Sequence, residues 1–147
     1  MKNIWQSKLS RELKIKLFQA TVVSILLYGS ETWTISNTLA KRIDGCFTRM
    51  LRMALNISWK AHLTNEVVYG RLPRITQTIR ARRMKLAGHM SRHRDIVGHN
   101  LTLWEPTHGH RTCGRPHQTY FNTIQVDTGL DSSEEIRKLM ADRVLWR

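Results

Sequence analysis

Between Glu66 and Asp95 the chain carries no acid, yet from Arg71 to Arg94 it places eight bases: Arg71, Arg74, Arg80, Arg82, Arg83, Lys85, Arg92 and Arg94. The same stretch is periodic. On a helical wheel Ile75, Ile79, Leu86 and Met90 fall within an arc of about 60°, an amphipathic stripe at helical spacing. One face of such a helix must dock on a core. Arg74, Lys85, Arg92 and Arg82 flank the stripe on one side and Arg83, Arg94 and Arg80 on the other, with Met84, Gln77, Ala81 and Gly88 at the back. A merely solvated surface helix interleaves both charge signs. This one does not, so its flanks suit a polyanion.

The rest of the composition agrees. The 147 residues, 41% hydrophobic and 24% charged, are enough for one domain with a core, or a small domain with a tail, and exclude wholesale disorder. The net charge of +13 is the departure from average. Such a field concentrates polyanions and, through counterion release, favours nucleic acid at low salt. Five Trp and three Tyr add stacking surfaces. Cys46 falls on the apolar face of a predicted helix and is expected in the core, and with Cys113 as its only companion no disulfide framework is expected. The N-terminus has no signal-peptide pattern. The most apolar segment, Leu17 to Tyr28, is 12 residues long, whereas a bilayer span needs about 20. An intracellular protein with no membrane partner is expected.

Capping signals place the elements. Ser10 caps a helix running to Tyr28, stopped by Gly29, whose apolar residues from Leu17 onward surround the wheel, so it reads as the central buried helix. Ser36 or Asn37 caps a second, with Leu39, Ile43, Cys46, Phe47, Met50 and Ala54 on one face and Lys41, Arg42, Arg49 and Arg52 on the other. Residues 56 to 63 form a loop containing Trp59; Thr64 caps a short helix ending at Gly70, and Pro73 stands at the entry of the basic helix. Residues 96 to 104 read equally as a short helix or an extended segment. PTHGHRTCGRP, Pro106 to Pro116, is a loop and candidate linker. His117 to Thr128 is helical and ended by Gly129, and Ser132 with Glu135 forms a capping box for a last helix reaching Trp146. The predicted class is mostly α: a small helical bundle over 1–95, then a C-terminal extension over 96–147 with a basic Gly/Pro loop and terminal helices.

The sequence has no GxSxG, P-loop or HExxH, and no adjacent Asp pair to hold two metal ions. His89 and His93, four apart on one face, lack a third ligand nearby. His108, His110, Cys113 and His117 match no tetrahedral zinc spacing and are accounted for by a polar turn. No metal or other cofactor is expected. Arg111 and Arg115, beside Gly109 and Gly114, suit a phosphate backbone better.

At LLYGSETW, Leu26 to Trp33, the chain resembles the segment after the palm in reverse transcriptases of non-LTR retrotransposons, the LINE-like endonuclease–reverse transcriptase polyproteins, especially the RTE group. The resemblance continues in order through KRIDGCFTRMLRMALNISW, VVYGRLPRITQTIRARRMKLAGHMSR, LWEP, GRPHQTY and the closing DRVLWR, and so covers essentially the whole chain. Cys113 departs from it, standing where relatives usually have a basic residue. The resemblance implies the thumb and post-thumb region of such an enzyme. In target-primed reverse transcription the thumb holds the template–primer duplex while the palm polymerises. The family's endonuclease and its palm, with a tyrosine and paired aspartates, lie upstream and are not in this chain, so the expectation is a non-catalytic fragment of an RNA-directed DNA polymerase. Its partners would be RNA, DNA or an RNA–DNA hybrid and the missing palm and endonuclease domains, in the nucleus or a cytoplasmic ribonucleoprotein. The residues expected at phosphates are Arg49, Arg52, Arg80, Arg82, Arg83, Lys85, Arg92, Arg94, Arg111 and Arg115. The alternative is a degenerate, truncated copy that exposes its former palm-packing surface, a reading motivated by the all-round apolar first helix.

Overall fold

The computed structural model describes residues 2–102, 104, 114 and 119–146. All regular structure among these is helical, so the mostly α class holds. Contacts divide the chain into two compact units, Met1–Ser30 with Ser36–Ile79 and Glu31–Ile35 with Arg80–Arg147. The division falls inside the basic helix, where the sequence expectation put it after Asp95. No helix among the described residues is long and apolar enough to cross a membrane.

The first unit opens with α1 (Lys2–Gln6) and α2 (Arg11–Phe18). Ser10 caps α2 as expected, its hydroxyl accepting from the Leu13 amide at 3.3 Å. The helix does not continue as α to Tyr28. It passes through a π-helical turn, Gln19–Val23, into the short α3 (Ser24–Leu26). Two hydroxyls sit on that ladder: Thr21 donates to the Leu17 carbonyl at 2.7 Å, and Ser24 to Ala20 at 2.7 Å and to Thr21 at 3.0 Å. Hydroxyl back-bonding of this kind loosens the regular i→i−4 pattern. Nor is this the centrally buried helix of the sequence reading, because Phe18 and Leu27 are buried while Ile25 is 76% and Tyr28 87% exposed.

Ser36 caps α4 (Asn37–Ala54), with its hydroxyl 3.3 Å from the Leu39 amide. The buried arc of α4 is Phe47, Thr48, Leu51 and Ala54, rotated from the predicted one. Cys46 is exposed rather than in the core. Phe47 decides the rotation: its ring lies between Phe18 at 5.6 Å and Tyr69 at 5.7 Å, and Trp5 meets Phe18 edge-on at 6.3 Å. Aromatic burial of this size outweighs a cysteine's, and Cys46, about 100° from Phe47 on the wheel, turns outward. A 3-10 turn, Trp59–Ala61, and α5 (Asn65–Tyr69) complete the layer. Arg11 donates to the Val68 carbonyl at 2.8 Å, placing a cation at the C-terminus of α5.

The basic helix is α6 (Ile75–Arg92). Its first turn is capped from outside its own chain segment: an Asp44 carboxylate oxygen on α4 accepts from the Thr76 amide at 3.2 Å, and the Thr76 hydroxyl donates to the same carboxylate at 2.9 Å. An acid is favourable at that positive helix end.

In the second unit α7 (Val97–Thr102) is a short helix within the stretch whose sequence reading is open. α8 (Tyr120–Thr128) ends at Gly129, whose φ of +73° closes the helix as its amide N–H donates to the Gln125 carbonyl at 2.8 Å. Ser132 stands at the start of α9 (Ser133–Ala141) but its side chain makes no capping bond, so the predicted capping box does not form. The last helix also stops short of Trp146. Asp142 accepts from the Val144 amide at 2.7 Å and the Leu145 amide at 3.1 Å, a local turn that competes with the helix. That turn lets Trp146 fold back. Its ring packs with Ala87, Phe121, Ile124, Ile136 and Met140 in this unit's core.

Candidate nucleic-acid interface

The net positive charge is not spread evenly. The first unit holds twelve Lys or Arg against three acids, Glu12, Asp44 and Glu66, while the second holds twelve against eight. Asp44 is already spent on Thr76. The denser net positive charge therefore lies in the first unit, whose α4 carries Lys41, Arg42, Arg49 and Arg52.

On α4, Arg49 is exposed, and no described residue pairs with it. Arg52, one turn on, is half-buried and donates to the Leu63 carbonyl at 2.6 Å and Asn65 Oδ1 at 3.1 Å. It ties the 56–63 loop back to its helix. Between the two arginines and that loop lies an open hollow of about 620 Å³, lined also by Met53, Ile57, Trp59, His62 and Leu63 and by no acid.

On α6 the bases divide by environment. Lys85 and, just past the helix, Arg94 are exposed and meet no acid among the described residues. Arg80 lies 3.3 Å from Asp127 and also donates to the Asp127 carbonyl. Arg82 approaches Glu31 at 3.6 Å. Arg92 donates to the Met140 carbonyl near the end of α9 at 2.8 Å, satisfying a terminal carbonyl. Arg83 differs most from its sequence assignment. It is 4% exposed, meets Asp127 at 2.6 Å and donates to the Trp33 carbonyl at 2.9 Å. Ile75, Ile79 and Ala87 are buried on the same face, so α6 buries a stripe in which Arg83 is the charged member, and its guanidinium is not offered to solvent. Tyr120 shares this polar cluster. Burial pushes its phenol up to about 12, with Arg83 opposing the rise and the Asp127 and Glu31 charges adding to it.

The small back of α6 has a clear use. Trp146 donates its indole N–H to the Met84 carbonyl at 2.6 Å, and a Cβ at Gly88 would fall within 2.4 Å of the ring, so only glycine admits it there. His89 and His93 stack at 4.1 Å, and among the described residues no group of three ligand types gathers to hold a metal. Arg111 and Arg115, with His108, His110, Cys113 and His117, lie outside the described residues.

Trp59 and His62 line the hollow beside α4 but lie outside the residues that the sequence points to as phosphate contacts. The signal available was SWKAH, an aromatic between a hydroxyl and two basic types in a loop.

Fold and surface together define a small all-helical protein with a cationic first unit. The chain is 24% identical, over 157 aligned positions and 99% of its length, to a Caenorhabditis elegans protein described as "Putative uncharacterized transposon-derived protein F52C9.6". It spans 56% of that protein's length. No protein-family profile matches the chain. No solved structure matches it.

Proposed function

We propose that this chain is transposon-derived and corresponds to the thumb and post-thumb region of a non-LTR retrotransposon reverse transcriptase, binding template–primer nucleic acid through its phosphates without catalysing polymerisation itself. The similarity to the transposon-derived worm protein supports the origin. The observation that carries the binding is the first unit's twelve bases against three acids, with Arg49 exposed and meeting no acid among the described residues. Lys85 and Arg94 add exposed charge in the second unit. Phosphate contacts of this kind position a duplex without reading its sequence.

The test is the affinity for an RNA–DNA hybrid of about 20 base pairs titrated from about 50 to 200 mM salt, where each phosphate contact contributes a slope near −0.9. Arg49→Ala lowers the slope by roughly 1 and weakens binding alike for all sequences. A flat salt response removes the proposal. A primer-extension assay checks the absence of polymerase activity.

A second reading has one observation in its favour. Ile25 and Tyr28 stand exposed beside the π-helical turn, as expected of a degenerate copy whose surface once packed on a palm. A monodisperse, cooperatively melting monomer counts against it, and aggregation supports it.

A further inference from the structure

We infer that the hollow beside α4 is a subsite for an unstacked nucleobase and its phosphate, with Trp59 as the stacking platform and Arg49 as the phosphate ligand. The inference rests on the nucleic-acid reading above and adds the class of ligand: single-stranded or frayed strand rather than duplex alone. Trp59 is 77% exposed, a large apolar ring held in water. It is not on a loose tail. The 3-10 turn that carries it is capped by the Ser58 hydroxyl, 3.3 Å from the Lys60 amide, and His62 closes the turn in the left-handed region at φ +46°. Arg52 then fixes the return of the loop at Leu63 and Asn65. The ring is therefore presented by a tied loop, which limits the ordering cost when a base stacks on it.

The surrounding chemistry selects the ligand. Arg49, Arg52 and His62 line the same hollow and no acid does. A purely apolar partner would leave the Arg49 guanidinium facing it, and an acidic peptide would supply charge but no ring for Trp59. A nucleotide supplies both a π-face and an anion. Cation–π contact from an arginine reinforces the stack.

The experiment separates base from phosphate. The full chain is titrated with a single-stranded oligo(dT) and with an abasic phosphodiester strand of equal length. Wild type prefers oligo(dT) by at least about fivefold, the small end of one base–aromatic stack. Trp59→Ala binds both strands alike, and Trp59→Phe keeps most of the preference. The thermal melt of each variant matches wild type, because the exposed ring carries little of the fold. A preference that survives Trp59→Ala overturns the inference, as does its absence in wild type. Salt-dependent binding with no base preference leaves the phosphate reading standing and sinks only this one. If neither strand is bound, both fall. If Trp59→Ala alters only self-association, the ring belongs to a protein interface and the inference is overturned.

Discussion

Arg83→Ala separates the two roles that a base on α6 can play. The side chain is 4% exposed and lies 2.6 Å from Asp127, itself 11% exposed, with a second bond at 2.9 Å to the Trp33 carbonyl. Removing one partner of a buried pair costs about 3–5 kcal/mol because the other charge is left without compensation. Arg80 remains at 3.3 Å from Asp127 and offsets part of that. Losing the donor to Trp33 adds about 1 kcal/mol. The expected destabilisation is thus about 2–4 kcal/mol, read as a lowered urea midpoint with unchanged m-value. Affinity for an RNA–DNA hybrid, measured where the variant is folded, stays within about twofold of wild type and the salt slope does not move. Arg83→Met with Asp127→Leu, which removes both charges, recovers most of the loss. If Arg83→Ala melts like wild type while hybrid affinity falls for all sequences, the buried pair is wrong and the guanidinium reaches phosphate.

Asp44→Ala uncaps α6 and leaves the Thr76 amide and hydroxyl without their acceptor; a loss of about 1–2 kcal/mol is expected in a denaturant melt, and no loss refutes the cap. Gly88→Ala displaces the Trp146 ring, giving a red-shifted indole emission; in a Trp146→Ala background the same change becomes stabilising by up to about 1 kcal/mol, as for glycine replacement in any exposed helix. Tyr120 has its phenol raised from 10.0 to about 12, so the folded state holds that proton more tightly than the unfolded chain. The stability it contributes is complete below pH 10 and is lost as pH rises through 12, and Tyr120→Phe flattens that alkaline decline in a pH series of melts.

What was legible from sequence was local. Ser10 and Ser36 cap their helices, Gly129 ends α8, and the helix over 75 to 92 emerges from its period, because caps and periods are short-range physics read from a few neighbouring residues. The predicted core positions Ile75, Ile79, Phe47 and Ala54 are buried, but the edges of those faces are not legible: wheel geometry assigns Cys46 to the core and Arg83 to solvent, and the structure reverses both.

The reason lies in partners distant in sequence. An isolated wheel ranks faces by polarity, so Arg83 reads as solvent-facing until Asp127, 44 residues away, supplies the opposite charge that makes burial tolerable. Phe47 outranks Cys46 only once Phe18 and Tyr69 stand on either side of it. Trp59 shows the same dependence at the surface. The sequence alone determined a basic, helical chain with an aromatic in a loop; only the tertiary structure, by tying that loop back through Arg52 to Leu63 and Asn65, decided that the ring stands beside Arg49, because a loop's direction depends on long-range bonds that no local pattern encodes.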